Sequence, residues 1–189
     1  FTLRVTALSF WKTENCKFKD RRHANNVFNK GVLTNITRAA FISLRGCKII
    51  DVDAESFSNL VSLVSIDLSD NKITNLKLGT FDGANRVMHL NLSHNSLQFL
   101  RSGLFQLLPN LETLVLNDNI IDSIDQTTFD PLKKLKHLDL SGNSLLGVNI
   151  HPSVFDQSLL ALEILVLDNC QLTEVPNENR IQIDSSFRD

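Results

Sequence analysis

Few side chains of this 189-residue chain are spaced in a way that could do chemistry. The five histidines and three cysteines form no H-E-x-x-H or C-x-x-C motif, and neither G-x-S-x-G nor a phosphate-binding loop occurs. Single Ser, His and Asp residues are scattered along the chain instead of being grouped. We therefore expect a protein that is not an enzyme and that holds no cofactor and no metal.

Composition and charge narrow the class of partner. The formal net charge of −2, from 19 basic and 21 acidic residues, argues against sequence-independent nucleic-acid binding. The charge is uneven, because residues 1–48 carry +8 and residues 49–189 carry −10. No run approaches the roughly 18 apolar residues of a membrane span. The chain begins at Phe1, so we expect a processed product whose targeting signal has been removed.

An internal repeat organises the chain. Its copies match L-x-x-L-x-L-x-x-N-x-L, and five of them start 24 residues apart, while the sixth follows after 27 residues. The six copies start at residues 39, 63, 87, 111, 135 and 162. A phenylalanine recurs at one phase of the second half, at Phe57, Phe81, Phe105 and Phe129, and should form a spine beneath the convex side. Such regularity predicts a stack of similar units that share one core.

Each copy predicts a short strand followed by a closed turn. Its leucines alternate with other residues, so they point inward while their neighbours point outward. The Asn position follows the strand, where a buried amide can satisfy the backbone groups of the turn. We expect Cys47 and Cys170 to be small buried residues of this ladder without a disulfide, because they lie five repeats apart. The ladder reads Cys47, Asn71, Asn95, Asn119, Asn143 and Cys170.

The pattern resembles the "typical" 24-residue class of extracellular leucine-rich-repeat proteins, which includes Toll-type receptor ectodomains and arthropod secreted immune proteins. The resemblance covers residues 33–175. It implies an α/β solenoid, a horseshoe with a parallel β-sheet on the concave face and mostly loops or short helical turns on the convex face.

Three regions follow from the repeat. Residues 1–32 are an expected N-terminal cap, residues 33–175 the solenoid, and residues 176–189 a tail or a truncated next repeat. The solenoid should open on a degenerate half-repeat, in which Leu33 takes the phase of the repeated phenylalanine.

The repeat register also predicts which side chains face outward from the concave sheet. Apolar and charged side chains are mixed there, which favours a protein-binding surface; scattered surface apolar residues are the alternative. His89 and His137 share a column two strands apart, about 10 Å, which suits a pH-sensitive contact better than a shared metal. The candidate binding residues are Phe41, Arg45, Asp67, Met88, His89, His94, Thr113, Val115, Asn117, Lys136, His137, Asp139, Ile164, Val166 and Asp168.

Two N-x-S/T glycosylation sequences occur. Asn35-Ile36-Thr37 lies at the expected cap, where it should be accessible. Asn91-Leu92-Ser93 lies on the expected concave strand, where a glycan would obstruct the middle of the surface. Asn91 as a plain outward polar residue is the alternative.

These observations favour a recognition module. The resemblance implies a secreted protein or receptor ectodomain that binds a protein ligand or co-receptor, alone or as a homo- or hetero-oligomer, in innate immunity or cell-surface signalling. A self-associating adhesive or matrix scaffold is one alternative, and an intracellular leucine-rich-repeat adaptor is another. Cys16 leaves these open, because a free thiol fits the cytosol and a paired one fits secretion.

Overall fold

The computed structural model describes residues 10–12, 26–30, 32–33, 36–58, 60–155, 159–172 and 182–184. In chain order its elements are β1 (Phe10–Lys12), β2 (Val27–Phe28), β3 (Phe41–Ser43), β4 (Asp51–Val52), β5 (Ser65–Asp67), β6 (His89–Asn91), β7 (Phe99–Leu100), β8 (Thr113–Val115), β9 (Ser123–Ile124), β10 (His137–Asp139), α1 (Leu146–Asn149), a 3-10 turn (Pro152–Val154), β11 (Ile164–Val166) and β12 (Gln182–Asp184).

One parallel sheet runs the length of the described structure. Its strand order is β1-β3-β5-β6-β8-β10-β11-β12, with every neighbouring pair parallel. The register places equivalent repeat residues side by side, as in Asp67 beside Asn91 and Asn91 beside Val115. The predicted solenoid with a parallel sheet is thus confirmed. The three region boundaries stay predictions, although β1 and β12 extend the sheet by one strand at each end.

The strands form because alternate side chains have opposite environments. In β5, β8, β10 and β11 the central Ile or Leu is buried, while both flanking residues are partly exposed. A second leucine of the repeat, such as Leu92 or Leu116, is also fully buried. Burying each such side chain contributes about 1.5–3 kcal/mol. The core therefore lies directly behind the sheet along the whole stack.

A row of buried asparagines closes the turn after each middle strand. The Nδ2 of Asn95 donates to the carbonyls of Leu68, Leu92 and Ser93 at 3.0, 3.0 and 3.1 Å, and its Oδ1 accepts from Ile73 N at 3.0 Å. Asn71, Asn119 and Asn143 make the equivalent bonds in their own repeats. Each amide thus joins its own turn to the backbone of the preceding repeat.

The two cysteines of this row differ from each other. Cys170 is free and fully buried, and its Sγ donates to Leu140 O at 3.1 Å. Burial raises the pKa of the Cys170 thiol to about 11. Cys47 is buried but disulfide-bonded. The expectation that Cys47 is a ladder residue without a disulfide was therefore wrong, because the spacing argument compared it only with Cys170.

Phenylalanine rings stack behind the convex side. Consecutive ring centroids from Phe57 through Phe129 lie 5.9, 6.4 and 6.2 Å apart, and all four rings are nearly or fully buried. Phe28 extends this stack at 5.7 Å from Phe57. Leu33, expected in the phenylalanine phase, is buried but is not the ring partner of Phe57. Phe28 reaches the stack through β2, which pairs with β4.

The longer fifth repeat turns differently from the others. Leu145 occupies the expected inward position but is 53% exposed, whereas Leu146, the first residue of α1, is fully buried. Gly147 follows, and its N–H donates to Cys170 O at 2.7 Å. A Cβ added at Gly147 would lie 2.0 Å from Gln171 O and 2.4 Å from Leu172 N. Only glycine lets α1 approach the next repeat this closely.

Candidate recognition surface on the concave face

Two rows of side chains leave the concave face of the sheet. The first runs from Phe41 through His89 to Ile164, and the second from Ser43 through Asn91 to Val166. The fifteen predicted binding residues all lie in the described structure. Exposed are Arg45, His89, His94 and Lys136; partly exposed are Phe41, Asp67, Met88, Thr113, Val115, Asn117, His137, Asp139, Ile164, Val166 and Asp168.

Three residues of the second row also hold their own turns. The Oδ1 of Asp67, Asn91 and Asp139 accepts the backbone N–H of the serine two residues later, at 3.0, 2.9 and 3.0 Å. Asp67 and Asp139 also accept the hydroxyl of that serine at 2.6 Å. The repeat pattern alone predicts them only as outward residues, although the short side chain before Leu-Ser is a signal for such a local turn.

Partly exposed apolar side chains gather toward the C-terminal strands. Val115, Ile164 and Val166 lie on β8 and β11. Between these strands runs β10, whose His137 and Asp139 pair in register with Ile164 and Val166. A patch of three branched apolar side chains is thus interrupted by one imidazole and one carboxylate. We call β8, β10 and β11 with these five residues the C-terminal patch.

A charged rim lies just before these strands. Lys136 Nζ lies 2.8 Å from Glu112 Oε2, and 49% of the lysine side chain and 26% of the glutamate side chain are exposed. The hydrogen bond to Glu112 raises the pKa of Lys136, and the same bond lowers the pKa of Glu112. Glu163 also raises the pKa of Lys136 through its charge. Both groups of the pair are therefore charged at neutral pH.

A second rim follows the strands. Arg45 Nε lies 2.6 Å from Asp70, and His94 Nδ1 lies 3.6 Å from Asp118. Asn117 Nδ2 also donates to Asp118. Arg45, His94 and Asn117 thus engage the turns after their strands and stand at the edge of the face. Surface ion pairs of this kind contribute at most about 1 kcal/mol.

The two histidines of the first row are separated by a threonine. His89 Nδ1 and Thr113 Oγ1 lie 3.2 Å apart, and Thr113 pairs in register with His137. Across the residues that the structure describes, no three His, Cys, Asp or Glu side chains are grouped closely enough for a metal ion. The row can accept and donate hydrogen bonds to a polar partner group.

Of the two glycosylation asparagines, the structure describes only Asn91. Asn35 lies outside the described residues. Asn91 ends β6 on the concave face and is partly exposed. Its neighbours across the sheet are Asp67 and Val115.

Comparison with known proteins identifies the repeat. A sequence model described as "Leucine rich repeat" matches residues 37–97 and 85–145, more than half of the chain, and a second of the same description matches residues 134–157. The chain belongs to the leucine-rich-repeat family. No curated protein matches it.

Solved structures of this family share the fold. The TLR13–ssRNA13 complex matches with 26% identity and a TM-score of 0.68 over 74% of this chain and 19% of TLR13. The APL1 leucine-rich-repeat domain matches with 21% identity and a TM-score of 0.65, over 75% of this chain and 36% of that one. The LRIM1/APL1C complex matches with 20% identity and a TM-score of 0.63, over 75% and 26%.

These matches show the family and the fold of the chain, and they cover only part of each matched protein. The chain resembles Toll-type and arthropod immune leucine-rich-repeat proteins, as the sequence predicts, but it spans only about a fifth to a third of the matched chains. Leucine-rich repeats form a protein-interaction scaffold whose concave surface suits binding. Within the described ranges, no helix is both long and apolar enough to cross a membrane.

Proposed function

We propose that this leucine-rich-repeat chain is a non-catalytic recognition module of a secreted protein or receptor ectodomain, and that it binds a protein partner through the C-terminal patch. The observation that carries this proposal is the partial exposure of Val115, Ile164 and Val166 on a regular sheet. Apolar side chains at the centre of a polar surface are typical of the core of a protein interface.

The patch is held in place before a partner arrives. Strands β8 and β10 are followed by Asn119 and Asn143, whose amides bind the turns of adjacent repeats. The inward leucines between the exposed residues are fully buried. A rigid surface loses little conformational entropy on binding, which favours affinity.

The charges beside the patch favour a protein over a nucleic acid. TLR13 is matched as a complex with ssRNA13. Here the carboxylates of Glu112, Asp139 and Glu163 stand beside the patch, and the amine of Lys136 is already paired with Glu112. Binding of a phosphate backbone needs an excess of basic side chains. A protein surface with apolar and basic side chains fits this patch better.

An extracellular location is part of the proposal. The disulfide at Cys47 supports it, because disulfides persist in oxidising compartments and are rare in the cytosol. It also argues against the intracellular adaptor, which should keep its thiols reduced. By resemblance to the immune proteins above, we propose a role in innate immunity or cell-surface signalling.

The test compares two substitutions of the same type. Val166→Arg places a long cation in the C-terminal patch, and Leu160→Arg places one at a leucine that is 72% exposed outside the concave rows. We expect a partner that co-purifies with the wild-type chain from its native extracellular fluid to be lost with Val166→Arg and kept with Leu160→Arg. Equal binding by both variants would sink the concave-face proposal.

A self-associating scaffold remains the second candidate. Its specific support is the charge division, +8 in residues 1–48 and −10 in residues 49–189, which suits head-to-tail contact. Sedimentation at low and high salt tests it. Oligomers that dissociate as salt rises would favour this candidate, and a monomer at every salt concentration would exclude it.

A further inference from the structure

Asn91 stands at the middle of the concave face. It is the last residue of β6, with β1, β3 and β5 on one side and β8, β10, β11 and β12 on the other. The sequence Asn91-Leu92-Ser93 meets the N-x-S requirement of N-linked glycosylation. Such a tripeptide alone is weak support for a glycan, so the hydrogen bonds and the exposure of the Asn91 amide group must be considered as well.

The hydrogen bonds of Asn91 leave its nitrogen unused. Its Oδ1 accepts the N–H of Ser93 at 2.9 Å, which fixes the side chain beside its own backbone. Its Nδ2 makes no hydrogen bond to any residue in the described parts of the chain. The ladder asparagines differ, because the Nδ2 of Asn95 donates to three buried carbonyls. Asn91 can therefore exchange one N–H hydrogen for a sugar without breaking a native bond.

The surroundings of Asn91 leave a path for a glycan. Its neighbours in the second row are Asp67 and Val115, and Ser65 and Thr113 lie in the first row on the adjacent strands. All four side chains are short. The ring on the same face of β6, the imidazole of His89, is engaged by Thr113, with 3.2 Å between His89 Nδ1 and Thr113 Oγ1. Since Asn91 is partly exposed, a chain attached to its Nδ2 would leave into the concave space.

We propose that Asn91 carries an N-linked glycan, which divides the concave face beside Val115 and leaves β10 and β11 of the C-terminal patch, with Ile164 and Val166, as its open protein-binding part. This inference rests on the secretory location proposed above. The Nδ2 attacks the first sugar carbon of a polyprenyl-diphosphate-linked oligosaccharide and forms the C–N bond. The bond from that carbon to the diphosphate oxygen breaks, and polyprenyl diphosphate leaves with the electron pair and the proton.

In the experiment, a eukaryotic cell secretes the 189-residue chain, which is expressed with a cleavable signal sequence at its N-terminus. Peptide-N-glycosidase in heavy-oxygen water then converts each glycosylated asparagine into a labelled aspartate, which mass spectrometry locates. The matched variant is Asn91→Asp, because Asp67 and Asp139 make the same bond to the following serine N–H. Ser93→Ala, which keeps Asn91 and removes the acceptor sequence, is the second variant.

We expect the label at residue 91 in the wild-type chain and its loss in both variants. A folded, secreted wild-type chain whose Asn91 is unlabelled would overturn the inference, whatever the state of Asn35. The recognition proposal fails separately. If Asn91 is unlabelled but Val166→Arg abolishes partner binding, only the glycan proposal is refuted. A glycosylated chain whose partner binds equally well after Val166→Arg would remove the concave-face proposal alone.

Discussion

At the scale of single residues, one buried asparagine amide in each middle repeat links that repeat to the one before it by hydrogen bonds. Asn95 satisfies three carbonyls and one N–H that belong to two successive repeats. Backbone groups at this depth have no water to replace the amide, so each group left unpaired costs about 1–3 kcal/mol. The same geometry in four repeats explains why the short turns hold their form without disulfides or prolines.

Asn95→Ala should therefore destabilise the chain by roughly 3 kcal/mol, because it leaves Ile73 N–H and the three carbonyls without this partner. Urea unfolding followed by circular dichroism measures the change. Gln98→Ala is the control, since Gln98 is exposed and bonds only Asp122, and it should cost less than about 0.5 kcal/mol. Equal losses for the two variants would contradict the role given to the ladder.

Cys170 gives a prediction about pH. Its pKa is raised from 9.0 to about 11, chiefly by burial, so the folded chain keeps the thiol proton where the unfolded chain loses it. The resulting stability is fully present below pH 9.0 and is lost as the pH rises toward 11. Iodoacetamide at pH 8 should therefore label Cys170 only after urea unfolding. Rapid labelling of the folded chain would show that the thiol is accessible.

At the scale of elements, three-residue strands are too short to be stable alone and depend on their neighbours in the sheet. The fifth repeat, three residues longer than the others, forms α1 and the 3-10 turn without disturbing the pairing of β10 with β11. What keeps them in place is the close approach of Gly147 to the backbone of Gln171 and Leu172. This approach couples the insertion to the last described repeat.

Gly147→Ala should open that contact, because its Cβ would lie 2.0 Å from Gln171 O, and we expect a cost of about 2 kcal/mol. Hydrogen exchange should rise within residues 159–172 and stay unchanged in earlier repeats. Gly46→Ala is the matched control, since a Cβ there meets nothing within 4 Å and only its left-handed backbone, at φ +68°, costs about 1 kcal/mol. Wild-type exchange in Gly147→Ala would refute the coupling.

The sequence predicted these elements unevenly, for physical reasons. A fixed period determines which residues pair across strands, so the row from Asp67 through Asn91 to Val115 was predictable. Leu145 was mistaken for the buried leucine because a helical turn follows it, and the next residue, Leu146, then points inward. The repeat pattern could not predict the disulfide bond of Cys47. A disulfide requires two cysteines that are close in space, and the pattern gives distances only between residues of the repeats themselves. The C-terminal patch follows from the register. The turn bonds of Asp67 and Asp139 have only a weak sequence signal, the short side chain before Leu-Ser, which the repeat pattern does not distinguish from a plain outward residue.

At the scale of the whole molecule, each repeat packs against the next one, so the stability of a repeat depends on its immediate neighbours. The ring stack shows this directly, since Phe57, Phe81 and Phe105 each contact a ring on both sides, while Phe129 contacts one ring, that of Phe105, within the part of the chain that the structure describes. In such a solenoid, stability is close to a sum of repeat terms and nearest-neighbour terms. Damage in the middle should therefore weaken more of the molecule than equal damage at an end.

Phe105→Ala and Phe129→Ala test this, because both rings are fully buried and differ in their position in the described ring stack. Each should cost about 3–5 kcal/mol locally. Phe105→Ala removes the ring contacts to both Phe81 and Phe129, so hydrogen exchange should rise in the repeats on both sides and split the unfolding into two steps. Phe129→Ala should raise exchange mainly next to Phe105 and keep one transition. The same exchange pattern in both variants would mean that the repeats unfold as one unit, because nearest-neighbour coupling cannot produce it.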